Sequence, residues 1–509
     1  MEKRQAYWNE PLIFELSSPG RIGFKWEGLS EKEHSALDKA LSLVPKDLIR
    51  SNPPFLPELS ELEVVRHFTR LSQMNFGVDS GFYPLGSCTM KYNPRINENI
   101  AAMPKISNIH PEQDSESLQG ALALMHQLEL WLASICGMEK FTLQPAAGAH
   151  GEFTGMMIIR AFHKLNKDLE QRSQVIVPDT AHGTNPATAA MCGFEVVIAP
   201  SGENGCLEVE ALKEAVSSKT AGLMLTNPNT LGLFEREICE ISEIVHEIGG
   251  LLYYDGANLN AILGKVRPGD MGFDVVHVNL HKSFSTPHGG GGPGAGPVGV
   301  SQELVQFLPV PVIGFNEGKY SLNYNRPNSI GKVRAFYGNF SILARAYAYI
   351  YMMGGKGLLR AAELAVLNAN YLGKKIRDIM DFDVPFGETI PRKHEFVASA
   401  DQLKKSKNIS ASQVSKFLLE NMIHPPTVYF PLIVSEALMI EPTETETKEN
   451  LDQFAEILSR LSSAGPKSLP ETLPTGLVTA IDKVDEGEAA RNPILSLKMI
   501  QDSRRGSNK

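Results

Sequence analysis

The sequence predicts an α/β protein, a large and mostly parallel sheet domain followed by a smaller carboxyl-terminal α/β domain. Two observations predict it. Between Phe141 and Gly299, short β-branched or apolar runs end in polar turns and alternate with helical stretches, the rhythm of parallel strands covered on both faces. The 509 residues are 42% hydrophobic and 21% charged, close to the globular average, which excludes disordered, collagen-like and coiled-coil chains. No repeat of solenoid or propeller length recurs.

Taken in order, residues 1–108 are rich in turn signals, among them Ser51-Asn-Pro-Pro54, Tyr83-Pro84 and Asn93-Pro94. They read as an irregular arm that wraps over a neighbouring surface. Leu118 to Cys136 reads as a helix with Leu118, Leu122, Met125, Leu128, Leu132 and Ile135 on one face. The large domain, 109–334, should carry strands at Val175–Val177, Glu195–Ala199, Leu223–Thr226, Leu251–Tyr254 and Val275–Asn279. Ala187–Cys192, Val209–Ser217 and Ile238–Ile248 are helical in pattern between them. A small domain, 335–465, opens with a helical region from Arg334 towards Met380, interrupted at Gly354-Gly355. Strands at Glu395–Ser399 and Val428–Phe430 and helices at Ala411–Asn421 and Leu451–Ser463 complete it. The tail, 466–509, is polar and should lie along a surface.

Charge and cysteine usage narrow the class. Acidic residues outnumber basic ones by 58 to 49, a net charge of −9, so no nucleic-acid surface is expected. The five cysteines are odd in number, with no C-x-x-C among them. They form neither a disulfide framework nor a zinc site, no metal is expected, and a reducing, cytoplasmic setting suits them. No apolar run would span a bilayer, and Met1 to Glu10 lacks the apolar stretch of a signal peptide.

In open parallel sheets, ligands sit beyond the carboxyl ends of the strands, which singles out the turns Asp179–His182, Asn227–Asn229, Asp255–Asn258 and His281-Lys282. Lys282 follows a buried strand, where desolvation favours the neutral, nucleophilic amine. Asp255 ends the run Leu251-Leu-Tyr-Tyr254, and a buried carboxylate is costly unless it meets a cation. A protonated pyridine nitrogen is such a cation, and Ala257 is small enough for a flat ring to rest upon. The segment Gln144-Pro-Ala-Ala-Gly-Ala-His-Gly151 enters a helical run, so the amides of Ala147, Gly148 and Ala149 could approach a phosphate closely. His182, after another strand, could stack on the opposite face of the same ring. Plainer roles stay open: Lys282 paired with a carboxylate, Asp255 as a helix cap, His182 as a structural hydrogen-bonder. Gly289, Gly291 and Gly294 satisfy G-x-G-x-x-G, but prolines follow at once and no amphipathic run begins there. The dinucleotide reading is therefore rejected.

The order phosphate loop, ring stacker, Asp-x-Ala and lysine resembles the fold-type I family of pyridoxal phosphate enzymes, with the aspartate aminotransferase-like architecture. Longer strings narrow the match. Asn279 to Gly299, Tyr83 to Pro94, Thr226 to Glu235 and Tyr254 to Ala261 closely resemble the glycine decarboxylase P-protein family, in the carboxyl-terminal half that some members carry as a separate chain. The resemblance implies pyridoxal 5'-phosphate bound covalently to Lys282, with Asp255, Ala257, His182, Ala147, Gly148 and Ala149 around it. Lys282, Asp255 and His182 would then be the catalytic residues. It further implies glycine as substrate, CO₂ as product, and transfer of the aminomethyl group to the lipoyl arm of H-protein. The implied partner is the related first subunit, two of each chain, clasped by the arm. Another fold-type I activity on a small amino acid, or a non-catalytic subunit, are the competing readings.

Overall fold

The computed structural model describes residues 9–23, 28–52, 54–289, 292–386, 390–464 and 485–506. The chain forms two compact units, Met1–Gly77 and Val78–Lys509. The first contains helices α1 (Glu31–Ser42) and α2 (Glu61–Gln73), each opened by a serine whose hydroxyl accepts the third amide while a glutamate three residues on answers back. This Ser-x-x-Glu pattern is a sequence-level start signal, so the stretch read as irregular is partly helical. Inside the unit, Glu10 accepts from Arg70 Nε at 2.5 Å and pairs with His67 Nδ1 at 2.7 Å. There is little apolar core: α1 buries none of its residues, and Phe55 and Leu56 are 72% and 68% exposed.

The second unit begins earlier than the sequence reading placed the end of the arm. Helices α3 (Arg95–Ala101) and α4 (Pro104–Ser107) belong to it, and Glu98 of α3 is bound by both arms of the Arg345 guanidinium at 2.8 Å. Then come α5 (Gln119–Cys136), β1 (Lys140–Thr142), α6 (Gly148–Asn166), β2 (Gln174–Pro178), α7 (Thr184–Met191), β3 (Glu195–Ala199), α8 (Val209–Ala215), β4 (Thr220–Leu225), α9 (Ile238–Glu247), β5 (Leu251–Gly256), β6 (Val275–Val278) and β7 (Val298–Val300). They build a seven-stranded sheet in the order β1-β7-β6-β5-β4-β2-β3. The strands from β6 to β3 are parallel, while β7 runs antiparallel to both neighbours. Every residue of β4, β5 and β6 is buried, as a sheet covered on both faces requires.

A hairpin follows, β8 (Val312–Asn316) and β9 (Lys319–Asn323), which the sequence reading lacks. The helical span α10 (Phe340–Arg377) is broken at Gly354, whose φ of 57° leaves the helical region. It leads to β10 (Phe396–Ser399), α11 (Asp401–Lys407), α12 (Ala411–Glu420), β11 (Thr427–Val428), β12 (Ala437–Ile440) and α13 (Lys448–Ser463). These strands form a separate antiparallel sheet, β10-β12-β11, so its central strand is the one the sequence reading missed. Much of the tail lies outside the described residues; α14 (Glu486–Arg491) and α15 (Leu497–Gly506) are described within it. Among the described residues no helix is long and apolar enough to cross a membrane.

Candidate active site

Each residue singled out beyond a strand end lies at the carboxyl edge of the parallel strands. Asp255 is on the last turn of β5, buried to 4% exposure. Its Oδ1 accepts the Ala257 N–H at 3.1 Å and its Oδ2 accepts from Asn185 Nδ2 at 2.9 Å. No helix opens directly after β5, so Asp255 caps none; the Ala257 contact closes a local turn, and among the described residues no Lys or Arg hydrogen-bonds the buried charge. His277, opposite Asp255 on β6, sets Nε2 3.4 Å from Oδ1, while Tyr253 Oη lies 2.6 Å from the other ring nitrogen. Burial pushes the His277 ring below its usual range, and the Asp255 charge pulls it part of the way back. Burial opposes the Asp255 charge as well, but His277, Asn185, the Ala257 amide and Lys282 outweigh it, and the carboxyl is held below its usual range.

A second carboxyl completes the local balance. Glu152, buried on α6, accepts Thr184 Oγ1 at 2.7 Å and Thr188 Oγ1 at 3.2 Å. Burial, and then the nearby Asp255 charge, push it up. The two shifts run in opposite directions, favouring the protonated form of Glu152 and the ionised form of Asp255. Thr184 Oγ1 also lies 2.8 Å from His182 Nδ1, so Glu152 and His182 share one hydroxyl. His182 is half-buried, and burial pushes its ring down. The sequence reading missed Glu152, Asn185 and His277. The available signal was Glu152 in Gly148-Ala-His-Gly-Glu152, an acid entering an otherwise apolar helix next to the small-residue loop.

Lys282 sits in the turn after β6, half-buried, and its Nζ donates to the Ser87 carbonyl at 2.5 Å. The turn is fastened from outside by the segment 87–93. Lys91 Nζ, itself buried, donates to the Ser283 carbonyl at 2.8 Å and pairs with Glu444 at 2.7 Å. Asn93 Nδ2 and the Tyr92 carbonyl hold Ser285 Oγ at 3.2 and 2.7 Å. The loop from Ala147 to Gly148 opens α6 without a side-chain cap, so the amides of Gly148 and Ala149, first in the helix, have no intrahelical acceptor. The glycines after Lys282 pack against this loop: Gly296 N donates to the Pro145 carbonyl at 2.9 Å. A Cβ on Gly296 would lie 2.1 Å from the Ala147 carbonyl oxygen, and one on Gly148 2.8 Å from the Asn279 amide. Close backbone approach, not nucleotide binding, is the reason for the glycines described here; Gly290 and Gly291 lie outside the described residues. The chain re-enters a strand, β7, and no helix opens there.

Comparison with known proteins identifies the architecture. Residues 154–325 match the aminotransferase class-V model, and residues 361–465 match the model for the carboxyl-terminal domain of glycine dehydrogenase. A probable glycine dehydrogenase (decarboxylating) subunit 2 of Pyrococcus furiosus is 57% identical over 507 residues, covering 98% of each chain. Proteins of the same description from Thermococcus onnurineus and from Listeria monocytogenes serotype 4b are 57% identical over 98% and 56% identical over 95% of this chain, covering 98% and 97% of theirs. A solved glycine decarboxylase (P-protein) in inhibitor-bound form superposes with a TM-score of 0.71 at 20% identity, covering 86% of this chain and all of its own. That likeness establishes the fold-type I arrangement of the sheet.

The Glu152–Asp255 pair makes stability depend on pH in a defined direction. Glu152 is pushed above its ordinary 4.5, so near neutrality the folded chain keeps a proton that the unfolded chain has released. The stability tied to that proton is complete below about pH 4.5 and is lost as pH rises through the raised folded value. Glu152→Gln removes the loss. Relative to wild type, the variant should gain stability with rising pH across this window, by at most about 1.4 kcal/mol per unit, read from urea unfolding at a series of pH values. A pH-independent difference would show that Glu152 holds no extra proton.

Proposed function

The chain belongs to the glycine dehydrogenase (decarboxylating) subunit 2 family, and on that premise we propose that it is the cofactor-bearing half of a pyridoxal phosphate-dependent glycine decarboxylase. The observation that carries the reading is the meeting of an ionised buried carboxylate, a lysine amine and uncapped helix amides at one edge of the sheet. These are the three groups that a pyridinium, an aldehyde and a phosphate require. The residues therefore fit the cofactor.

When bound, pyridoxal phosphate supplies an aldehyde carbon that bonds to amines and a ring that stores the electron pair left when a carboxylate departs as CO₂. In this reading Lys282 Nζ would hold the aldehyde carbon, and its amine would be freed to carry a proton when the glycine nitrogen takes its place. Asp255 keeps the ring nitrogen protonated, which a neutral neighbour could not do. Ala257 would leave room for the ring, and His182 would lie against it. The amides of Gly148 and Ala149, with Ala147 before them, receive the phosphate at a helix N-terminus. A strong cation on the glycine carboxylate would oppose the reaction, because that group must leave as neutral CO₂. The aminomethyl carbon then bonds to one sulfur of a lipoyl disulfide on H-protein. The other sulfur leaves with the electron pair and takes a proton, so the two electrons of the broken carbon–carbon bond reduce the disulfide.

A partner subunit is part of the reading. The apolar side chains of Met1–Gly77 have too little core of their own, with Phe55, Leu56 and Phe68 all more than half exposed. A related first subunit would cover such a surface, with two copies of each chain. The cysteines are all free, which suits a cytoplasmic setting.

The first test is whether the purified chain is yellow and bleaches with borohydride. Peptide mapping should then find the pyridoxyl group on Lys282, and Lys282→Ala should abolish it; a label on another lysine would overturn the assignment. Asp255→Asn should keep the bound cofactor but lose roughly a hundredfold or more in turnover, because one charge contact at the transition state is removed. Near-normal turnover would reduce Asp255 to its local contact with the Ala257 amide. Glycine–CO₂ exchange measured with H-protein should be poor for this chain by itself and rise on addition of the related chain. Full exchange without a second chain would sink the two-subunit reading.

A further inference from the structure

One cluster beside Lys282 is unused by the reaction as described. His394, Glu395 and Glu441 are all buried, and one ligand atom from each lies within 4.8 Å of the others. The pairing of β10 with β12 sets Phe396 opposite Ile440, which brings Glu395 and Glu441 face to face just beyond the pair. Like charges opposite one another across a sheet repel, and a dry interior sharpens the repulsion.

The cluster reaches Lys282 through one short strap. Ser87 donates its N–H to Glu395 Oε2 at 2.9 Å and accepts Lys282 Nζ on its carbonyl at 2.5 Å. Its φ of 62° lies in the left-handed region that non-glycine residues rarely adopt. Two residues on, Thr89 Oγ1 donates to Glu441 Oε1 at 2.7 Å, and Asn258 Nδ2 reaches the same oxygen at 2.8 Å. Glu441 Oε2 and His394 Nδ1 have no hydrogen-bond partner among the described residues. Burial pushes both carboxyls up, the Glu395 charge adds to this at Glu441, and Lys282 pulls both back. Burial and then Lys282 push His394 down to about 3, so the ring is neutral.

We propose that Glu395 and Glu441 hold one proton between them and act, across the Ser87–Thr89 strap, as the counter-charge of Lys282. The proposal rests on the function above and deepens it. Both are positioning residues, since they act on the lysine through Ser87 and their shared field. The proton balance gives them their task. Glycine arrives with a protonated nitrogen and must shed one proton before that nitrogen can bond to carbon; Lys282, once displaced, gains one. The single negative charge of the pair favours the protonated lysine, docked on the Ser87 carbonyl, over a free amine competing for the same carbon. A divalent cation is the rival occupant, but it would need both carboxylates ionised beside a lysine.

Other charges facing Lys282 must stay constant in the test: His281 and His288 on its own loop, His182, His277 and Asp255 from the sheet, and the Lys91–Glu444 pair beyond the strap. The experiment labels Lys282 in the cofactor-free chain with a small aldehyde and cyanoborohydride across pH, quantified by peptide mass spectrometry. Glu395→Gln combined with Glu441→Gln removes the single charge and should move the half-labelling pH down by about one unit, so that labelling near neutrality rises roughly tenfold, whereas either glutamine alone leaves one carboxyl to ionise and should stay near wild type. Glu441→Asp, which keeps the charge, should stay near wild type. In the loaded chain, the pH midpoint of the cofactor absorbance should move down in the double variant. The double variant, shown to fold by circular dichroism, decides the matter: an unmoved midpoint overturns the proposal, as does a single glutamine variant that moves as far as the double one. Calorimetric binding of Mg²⁺, Mn²⁺ or Zn²⁺ to wild type that is lost in Glu441→Gln overturns it in favour of a cation site. Should the loaded chain carry its cofactor on another lysine, the functional reading fails, while the labelling of Lys282 still reads the pair.

Discussion

The site depends on keeping charge in places that water does not reach. Asp255, Glu152, Glu395, Glu441, Lys91 and Glu444 are nearly all withdrawn from solvent around one half-buried lysine. An isolated ion in such surroundings would neutralise itself or unfold the region. The fold answers by pairing. Lys91 neutralises Glu444 directly. Asn185 and the Ala257 amide donate to Asp255 and favour its ionised form, while burial favours the proton on Glu152. The acidity of one carboxyl is thus set by its neighbour, and two carboxyls of the same chemistry are driven to opposite states by environment alone.

This arrangement explains why the segment 86–93 matters although it contributes no residue singled out for the reaction. It ties the lysine turn at the carbonyls of Ser87 and Ser283 and at the Ser285 hydroxyl. Gly86 also donates its amide to the Met439 carbonyl on β12 at 3.1 Å. A Cβ at Gly86 would fall 2.5 Å from that same oxygen, so the segment is wedged between the lysine turn and the smaller sheet. The string Tyr83 to Pro94 carries part of the family resemblance, and its physical reason is this wedge.

What was legible in the sequence follows from what burial does to pattern. Strands β2, β4, β5 and β6 were visible because both faces are covered, which leaves runs such as Leu251-Leu-Tyr-Tyr254 without a polar break, and the edge strand β3, half-exposed, by its β-branched run Val196-Val-Ile198. The strands β1 and β7 are three residues each, too short for any period to register. In the hairpin, β9 alternates exposed and half-buried positions over only five residues, and β12 is four residues long between turn-forming segments. The two helices near the amino end were missed although Ser30-x-x-Glu33 and Ser60-x-x-Glu63 announce them, because proline-rich turns nearby dominated the reading.

The same reasoning separates the residues found from those missed. Lys282, Asp255 and His182 could be picked out because each follows a strand that the pattern reveals, and a parallel sheet brings such positions to one edge whatever their distance in sequence. Glu441 has an equivalent signature, an acid directly after the apolar run Ala437-Leu-Met-Ile440. Its strand is antiparallel, however, and belongs to another sheet, so no rule about parallel edges leads from it to Lys282. Only the pairing of β10 with β12 and the fold of the strap between them bring it there. A one-dimensional pattern reports how each strand is buried; it does not report which sheet edges face one another. The residues that act directly on an edge are therefore readable from sequence, and those that set their charge from the neighbouring sheet become visible only when the two sheets are assembled.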